Sequence, residues 1–413
     1  MCFARCDVAR PACTLVASPA APDFCETDRR VWVVTFESSP LFCYSEETCS
    51  NREGHRDGRL TSSAPWPDSA VRGGLLSPFA EANPNLYKAH TVFAPYCTSD
   101  AWLGRGSEAP QAAPPTPQFN GLTAMNETLQ AALHGGLPHG GNLAGADDLV
   151  LTGGAGAMLA LSLLLPGIRA QLPNKTRIHL LCDGCGWGTE APAEPTSTLR
   201  GQHTASSLSS LLEQAWPAWN PPAPLSPLSS VGAPFRQKLL QLADPSKGIA
   251  QSLILIAPQA SAPLLSAEGV QLAGAAPAQN STIQRLVQAA RTSARSFAVE
   301  AVAAGVVPRV FSPNCAWPAE LAASDAAFHI TVPSQTIPSS GTAAAALVVN
   351  AINGNTNPQV VVDEVCATGN PAACNPSCPE GAELRTHTEA SDCAQNRPAS
   401  ILSHSALNCA SFA

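Results

Sequence analysis

The segment Leu149-Val-Leu-Thr-Gly-Gly-Ala-Gly-Ala-Met-Leu-Ala160 constrains the fold of this chain more than any other. From Leu149 to Ile168 there is no charged side chain, and the stretch is close to the ~20 residues that a bilayer core requires. Its interior argues against a membrane span. Gly153, Gly154 and Gly156 crowd the middle, and Pro166-Gly167 interrupts the end. An apolar strand, a tight glycine turn and an apolar helix explain this order, so both elements are expected to be buried.

Similar apolar runs recur along the chain. Val31–Phe36, Thr91–Tyr96, Asp148–Thr152, Ile178–Cys182 and Leu253–Ala257 read as strands. Helical patterns lie among them at Gly121–His134, Ala155–Leu165, Ile283–Ala304 and Thr342–Ile352. In the third, Leu286, Ala289, Ala290, Ala294, Phe297 and Val302 are spaced for one buried face. Strands alternating with helices predict an α/β fold, with a mainly parallel sheet covered by helices on both faces. In such sheets ligands bind at the carboxyl ends of the strands. Residues 105–118 and 190–233 read as loop or cap, the second anchored by Trp216 and Trp219. The tail after Val365 is cysteine-rich and lacks regular pattern.

The chain has 413 residues, 45% apolar, 13% charged, with a net charge of −8. No run of Lys or Arg accompanies that balance, so a nucleic-acid partner is not expected. Fifteen cysteines are present, several close together. Cys182-x-x-Cys185 is a lone C-x-x-C, and no second pair or local histidine cluster completes a metal site. Structural disulfides in an oxidising compartment are the expected use, with Cys43, Cys49, Cys97, Cys366, Cys374 and Cys378 as candidates. Sequons at Asn126, Asn174 and Asn280 agree with secretion. The start, Met1-Cys-Phe-Ala-Arg-Cys, shows no signal peptide, so the true N-terminus is left open.

The turn at Gly153–Ala157 has the frame of a nucleophile elbow, G-x-S-x-G, in which a strained strand-to-helix turn presents a serine at the sheet edge. Here the apex is Ala155, and a methyl group cannot attack a carbonyl. Ser162 falls two turns into the helix, and Thr152 ends the strand as a core residue. His329 follows Pro318 within reach of a strand-end loop, but a base without a nucleophile achieves nothing. His134-Gly-Gly-Leu-Pro-His139 reads as a helix-ending loop, and Asp183 as a strand end.

Other strings carry a family resemblance. Leu60-Thr-Ser-Ser-Ala-Pro-Trp-Pro67, Gly74-Leu-Leu-Ser-Pro78, Asn83-Pro84, Ala94-Pro-Tyr-Cys-Thr-Ser-Asp-Ala-Trp-Leu-Gly104 and Cys374-Asn-Pro-Ser-Cys-Pro379 resemble motifs of the pectin acetylesterase/Notum family. The Notum branch is the more similar. The resemblance runs from Cys25 to Pro379 and implies one α/β-hydrolase domain over 25–379, with 190–233 as a cap or loop insertion. Residues 1–24 and 380–413 then flank it as cysteine-containing segments.

The resemblance also implies a Ser-Asp-His triad acting on acetyl esters of pectin or, in the Notum branch, on the palmitoleoyl ester of Wnt proteins. Carried over residue by residue, the serine falls on Ala155, the aspartate on Ser261 and the histidine on Pro318. The oxyanion loop falls on Ser38, Ser39 and Pro40, and Pro40 has no N–H to donate. Gly156 matches the other donor. Leu41 and Phe42 replace the aromatic wall of the acyl pocket, and Ser99, Asp100 and Trp102 fall on the string that lines it. The expectation is a secreted family member without esterase activity, binding an acylated protein or acetylated polysaccharide. The alternative is an active ester hydrolase that uses other residues. No cofactor, metal or membrane span is expected, and the oligomeric state is not encoded.

Overall fold

The computed structural model describes residues 16–18, 30–37, 42–49, 72–106, 119–137, 141–185, 208–223, 225–226, 232–261, 281–313, 316–317, 331–333 and 341–362. Five predicted strands are present: β2 (Val31–Phe36), β3 (His90–Ala94), β4 (Asp148–Gly153), β5 (Arg177–Asp183) and β6 (Ser252–Ile256). They join β1 (Val16–Ser18), β8 (Arg309–Ser312) and β12 (Gln359–Val362) in an eight-stranded sheet of order β1-β3-β2-β4-β5-β6-β8-β12. β1 pairs antiparallel with β3, and the other seven strands run parallel. Two small sheets pair β7 (Ala260–Ser261) with β9 (Ala316–Trp317), and β10 (Thr331–Pro333) with β11 (Gly341–Ala343). This is the predicted α/β-hydrolase-type architecture.

Strand alternation gives each face of the sheet its own core. Trp32, Val34, Phe36, Leu149, Leu151, Ile178 and Leu180 point to one side. There they meet α1 (Gly121–Leu133), α2 (Ala155–Gln171), α4 (Gly232–Leu242) and α5 (Ser281–Ala303). Val33, Val150, Leu181, Ile254 and Phe311 point to the other, against Leu75, Leu76 and α6 (Ala344–Ile352). Burying each such side chain contributes about 1.5–3 kcal/mol, which fixes the register, because a one-residue slip would swap the two faces.

Four local expectations are corrected. α2 does not stop at Leu165 but runs through Pro166 to Gln171. Pro166 lies on the exposed side, while Leu165 before it and Ile168 and Leu172 beyond it are buried, so packing offsets the lost hydrogen bond. Val302 on α5 is 63% exposed, and Val287, Ala298 and Ala301 supply the buried face instead, beside Ala290, Ala294 and Phe297. The stretch read as cap or loop holds a helix, α3 (Leu208–Trp219), and the start of α4. Pro- and Ser-rich flanks masked a helix whose buried residues include Leu212, Ala215 and Trp219. Cys182 and Cys185, left open between uses, form a disulfide, as do Cys43 and Cys49. Cys97 is also disulfide-bonded, whereas Cys366, Cys374 and Cys378 lie outside the described residues. Among the described residues no helix is long and apolar enough to cross a membrane.

Candidate functional site

β4 passes into α2 through one residue, Gly154, whose φ of −75° and ψ of −176° are extended. Ala155 opens the helix and is 5% exposed. Two neighbours must be glycine. A Cβ on Gly153 would lie 2.7 Å from the Ala157 methyl and 2.9 Å from the Phe36 carbonyl oxygen. A Cβ on Gly156 would lie 2.8 Å from the Ala101 Cβ and closer still to the Ala101 carbonyl oxygen. Met158 N–H is the first amide to bond within the turn, donating to Gly154 O at 2.9 Å. The amides of Ala155, Gly156 and Ala157 have no intrahelical acceptor, and the helix end carries partial positive charge. The strand–glycine–helix order of the elbow is therefore present, with a methyl group in place of a hydroxyl at its expected apex.

The strain expected at that turn lies elsewhere. Among the described non-glycine residues, positive φ occurs at Ser99 (52°), Ala101 (54°), Trp102 (63°) and Asn220 (48°), and not at the elbow. The first three belong to the loop after β3, the loop that presses on Gly156. Such conformations cost on the order of 1–3 kcal/mol each and persist only where neighbours enforce them. Asp100 is one enforcer. Its carboxylate is fully buried and accepts from Thr98 Oγ1 at 2.5 Å, Trp102 N at 3.0 Å and Gly121 N at 2.6 Å. Burial raises its pKa, and the hydrogen bonds from Thr98, Gly121 and Trp102 oppose that rise.

Trp102 Nε1 donates to Glu37 O at 2.9 Å, Glu37 Oε2 accepts from Tyr96 N at 2.8 Å, and Cys43 N donates to Ser99 O at 2.9 Å. Ser99 and Trp102 are each 2% exposed. Ser99, Asp100 and Trp102, expected to line a binding site, are buried and shape the loop over Gly156.

Phe42 is half-buried, and its ring meets Trp219 edge-on at 4.9 Å. Trp219 Nε1 donates to Cys43 O at 2.9 Å, and Arg105 N donates to Trp219 O at 3.1 Å. α3 is thereby tied over the loops that follow β2 and β3. Sequence reading assigned Trp219 only an anchoring role, but the fold also makes it the partner of the candidate pocket residue Phe42. Ser38, Ser39, Pro40 and Leu41 lie outside the described residues.

Ser261, expected at the acid position, lies at the carboxyl edge of the sheet. β6 and β8 leave the sheet at the same carboxyl edge as β4, and their continuations pair in parallel, with Ala260 beside Ala316 and Ser261 beside Trp317. Pro318 follows Trp317 directly and lies outside the described residues, as does His329. Ser162 cannot stand in as nucleophile. Its Oγ donates to Leu159 O at 2.6 Å, back along its own helix. His134 lies at the exposed end of α1, 3.2 Å from Gln130 Oε1. Asp183 is buried at the end of β5.

A serine–histidine–aspartate array does exist, but at the opposite edge. His179 Nδ1 is 2.8 Å from Ser252 Oγ and His179 Nε2 is 2.8 Å from Asp148 Oδ1. Arg177 also pairs with Asp148, at 2.9 Å. Asp148 and Ser252 open β4 and β6 and His179 is the third residue of β5, so the array lies about 10–17 Å below Gly153 along the strands at ~3.3 Å per residue. His179 and Asp148 are fully buried and Ser252 is 3% exposed. The ring nitrogens are reversed relative to a hydrolase triad, where Nε2 faces the serine. The array closes the bottom of the sheet and does not serve the elbow.

Of the sequons, Asn126 is half-buried on α1 with Thr128 2% exposed, Asn174 is exposed on the turn before β5, and Asn280 lies outside the described residues.

Comparisons with known proteins agree with this fold. The pectinacetylesterase family model matches residues 12–204. An inactive palmitoleoyl-protein carboxylesterase, notum1b of Danio rerio, is 46% identical over 76 residues, covering 18% of this chain and 52% of that protein. The Drosophila melanogaster palmitoleoyl-protein carboxylesterase NOTUM is 27% identical over 193 residues, covering 46% of this chain and 27% of that protein. The Homo sapiens NOTUM is 31% identical over 143 residues, covering 35% and 27% respectively. The chain therefore spans about half or less of the length of the curated relatives it matches. The solved structure of the Wnt deacylase Notum from Drosophila shares the fold, with a TM-score of 0.66 at 19% identity over 92% of this chain and 100% of that one. Motifs, matched sequence and shared fold together place the chain in the pectin acetylesterase/Notum family of carboxylesterases.

Proposed function

We propose that this chain is a catalytically inactive member of its family, which retains the hydrolase frame and binds an ester-bearing glycan or an acylated protein at the old active-site edge. One observation carries the reading: the elbow apex is a methyl group, Ala155. Loss of a triad nucleophile costs about 10⁶ in kcat. Ser261 and Pro318 stand at the acid and base positions, so no neighbouring group at those positions restores the chemistry. The name of the Danio rerio relative, which marks that protein as inactive, supports the same reading.

The intact surroundings favour binding over a purely structural role. Gly156 still meets Ala101 at the helix end, and Phe42 leaves part of its ring exposed while its other side is backed by the fully buried Trp219. The paired cysteines indicate an oxidising, extracellular setting.

The test is turnover of p-nitrophenyl acetate and octanoate by the secreted protein. No hydrolysis above the protein-free rate is expected. Turnover that a serine-directed fluorophosphonate abolishes would overturn the reading. Thermal-shift screening with long-chain fatty acids and acetylated pectin oligomers then distinguishes a binder, whose melting temperature rises, from a structural protein, whose melting temperature does not.

A further inference from the structure

We infer that Asn174 carries an N-linked glycan and that Asn126 does not, an assignment that rests on the extracellular reading above. Both sequons are complete, Asn174-Lys-Thr176 and Asn126-Glu-Thr128, and sequence alone gives no reason to prefer either. The fold separates them.

Asn174 sits on the β-turn that joins α2 to β5, closed by Thr176 N donating to Pro173 O at 3.0 Å. Its side chain is exposed and makes no hydrogen bond. The turn beneath it is held firmly. Arg169 on the last turn of α2 donates to the carbonyls of Pro173 and Thr176, and to Leu172 O at 3.2 Å. Thr176 Oγ1 donates to Ala146 O at 2.7 Å, and Lys175 pairs with Asp147 at 3.1 Å. These contacts aim Asn174 outward without using its amide. The turn also precedes β5, at the sheet edge opposite Ala155, so a glycan there leaves the candidate site uncovered.

Asn126 is different. It lies within α1, half-buried, next to Met125 at 0% exposure and two residues before Thr128 at 2%. A bulky hydrophilic glycan attached while the chain is extended would oppose the docking of this helix on the sheet.

The modification itself is an ordinary transfer. The Asn174 amide nitrogen forms a bond to the anomeric carbon of a lipid-diphosphate-linked oligosaccharide. The bond from that carbon to the diphosphate breaks, the lipid diphosphate departs, and the amide loses one proton.

The experiment is production of the full chain in eukaryotic secretory cells behind a cleavable secretion leader, followed by amidase deglycosylation in heavy-oxygen water and peptide mapping. Label at Asn174 in most molecules and none at Asn126 is expected. Asn174→Gln should remove one glycan-sized mobility shift and leave the melting temperature unchanged. Unlabelled Asn174, or labelled Asn126, overturns the inference. Because the leader supplies entry to the secretory route, this result does not depend on where the chain naturally resides. That reading is tested separately, by whether the protein reaches the medium of the cells that make it.

Discussion

Ser261 lies in register beside Trp317, the residue immediately before Pro318. Ser261, expected at the acid position, therefore lies at the carboxyl edge of the sheet beside the strand that leads towards the expected base position, and neither serine nor proline can do that chemistry. Restoring the triad is then a matter of side chains. Ala155→Ser alone should remain inert, because no base activates the hydroxyl. Ala155→Ser combined with Ser261→Asp and Pro318→His should turn over p-nitrophenyl octanoate. Pro40 still lacks an oxyanion donor, so the rate should stay about 10²–10³ below that of an intact hydrolase. Steady-state kinetics of the two variants check both statements.

Gly156→Ala should be destabilising. The added methyl would enter the space of the Ala101 carbonyl oxygen and lie 2.8 Å from the Ala101 Cβ. Such overpacking costs about 1–3 kcal/mol. The usual gain from replacing glycine in a helix, about 1 kcal/mol, cannot offset the upper part of that range. Urea denaturation midpoints measure the balance, and an unchanged midpoint would show that the loop yields.

Asp100→Asn should lower stability by about 1–3 kcal/mol. An amide cannot accept from Gly121 N and Trp102 N with both of its side-chain atoms, so a buried donor loses its partner. The pH dependence has a definite sign. Burial raises the pKa of Asp100, so the folded state holds that proton more tightly than the unfolded state. The stabilising share of the carboxyl is complete below the ordinary carboxylate range and falls as pH rises through the raised value. The stability gap between wild type and Asp100→Asn should therefore be widest in acid and narrow towards neutral pH, as read from denaturation midpoints across that range.

His90 gives the opposite trend. Burial and the nearby Arg30 lower its pKa, while its ring stacks on Trp32 at 4.6 Å. Its contribution is present above the ordinary histidine value and is lost as pH falls through the lowered one. His90→Phe keeps the ring and removes the titration, so it should flatten the acid side of the stability profile.

The buried Ser252–His179–Asp148 array should matter to folding alone. His179→Leu removes the 2.8 Å hydrogen-bond partner of Asp148 while Arg177 still pairs with it, so it should cost about 1–3 kcal/mol. Ser252→Ala should leave esterase readings at baseline. Fluorophosphonate labelling that disappears in Ser252→Ala would show this array to be a second hydrolytic site.

Most of the sheet was legible because its signal is local. Val31–Phe36 is a strand at the predicted bounds, and Asp148–Gly153, Arg177–Asp183 and Ser252–Ile256 differ from prediction by a residue or two at their ends. Fully buried parallel strands must be continuously apolar, whatever they pack against. β8, β12 and helix α3 escaped notice. Arg309–Ser312 and Gln359–Val362 are short and polar-ended, and α3 has its proline near one end and serines near the other.

By itself, the sequence determined that the elbow has no nucleophile, since the identity of residue 155 needs no coordinates. It also determined the family, through strings too specific to arise by chance. Only the tertiary structure decided what the neighbouring residues do. Asp100, Ser99 and Trp102 form a string expected at a binding site, and the structure adds that they are buried in a strained loop over Gly156. Ser252, His179 and Asp148 lie far apart in the chain, yet parallel pairing sets them side by side. Register and burial are properties of contacts between distant segments, and no local pattern encodes them.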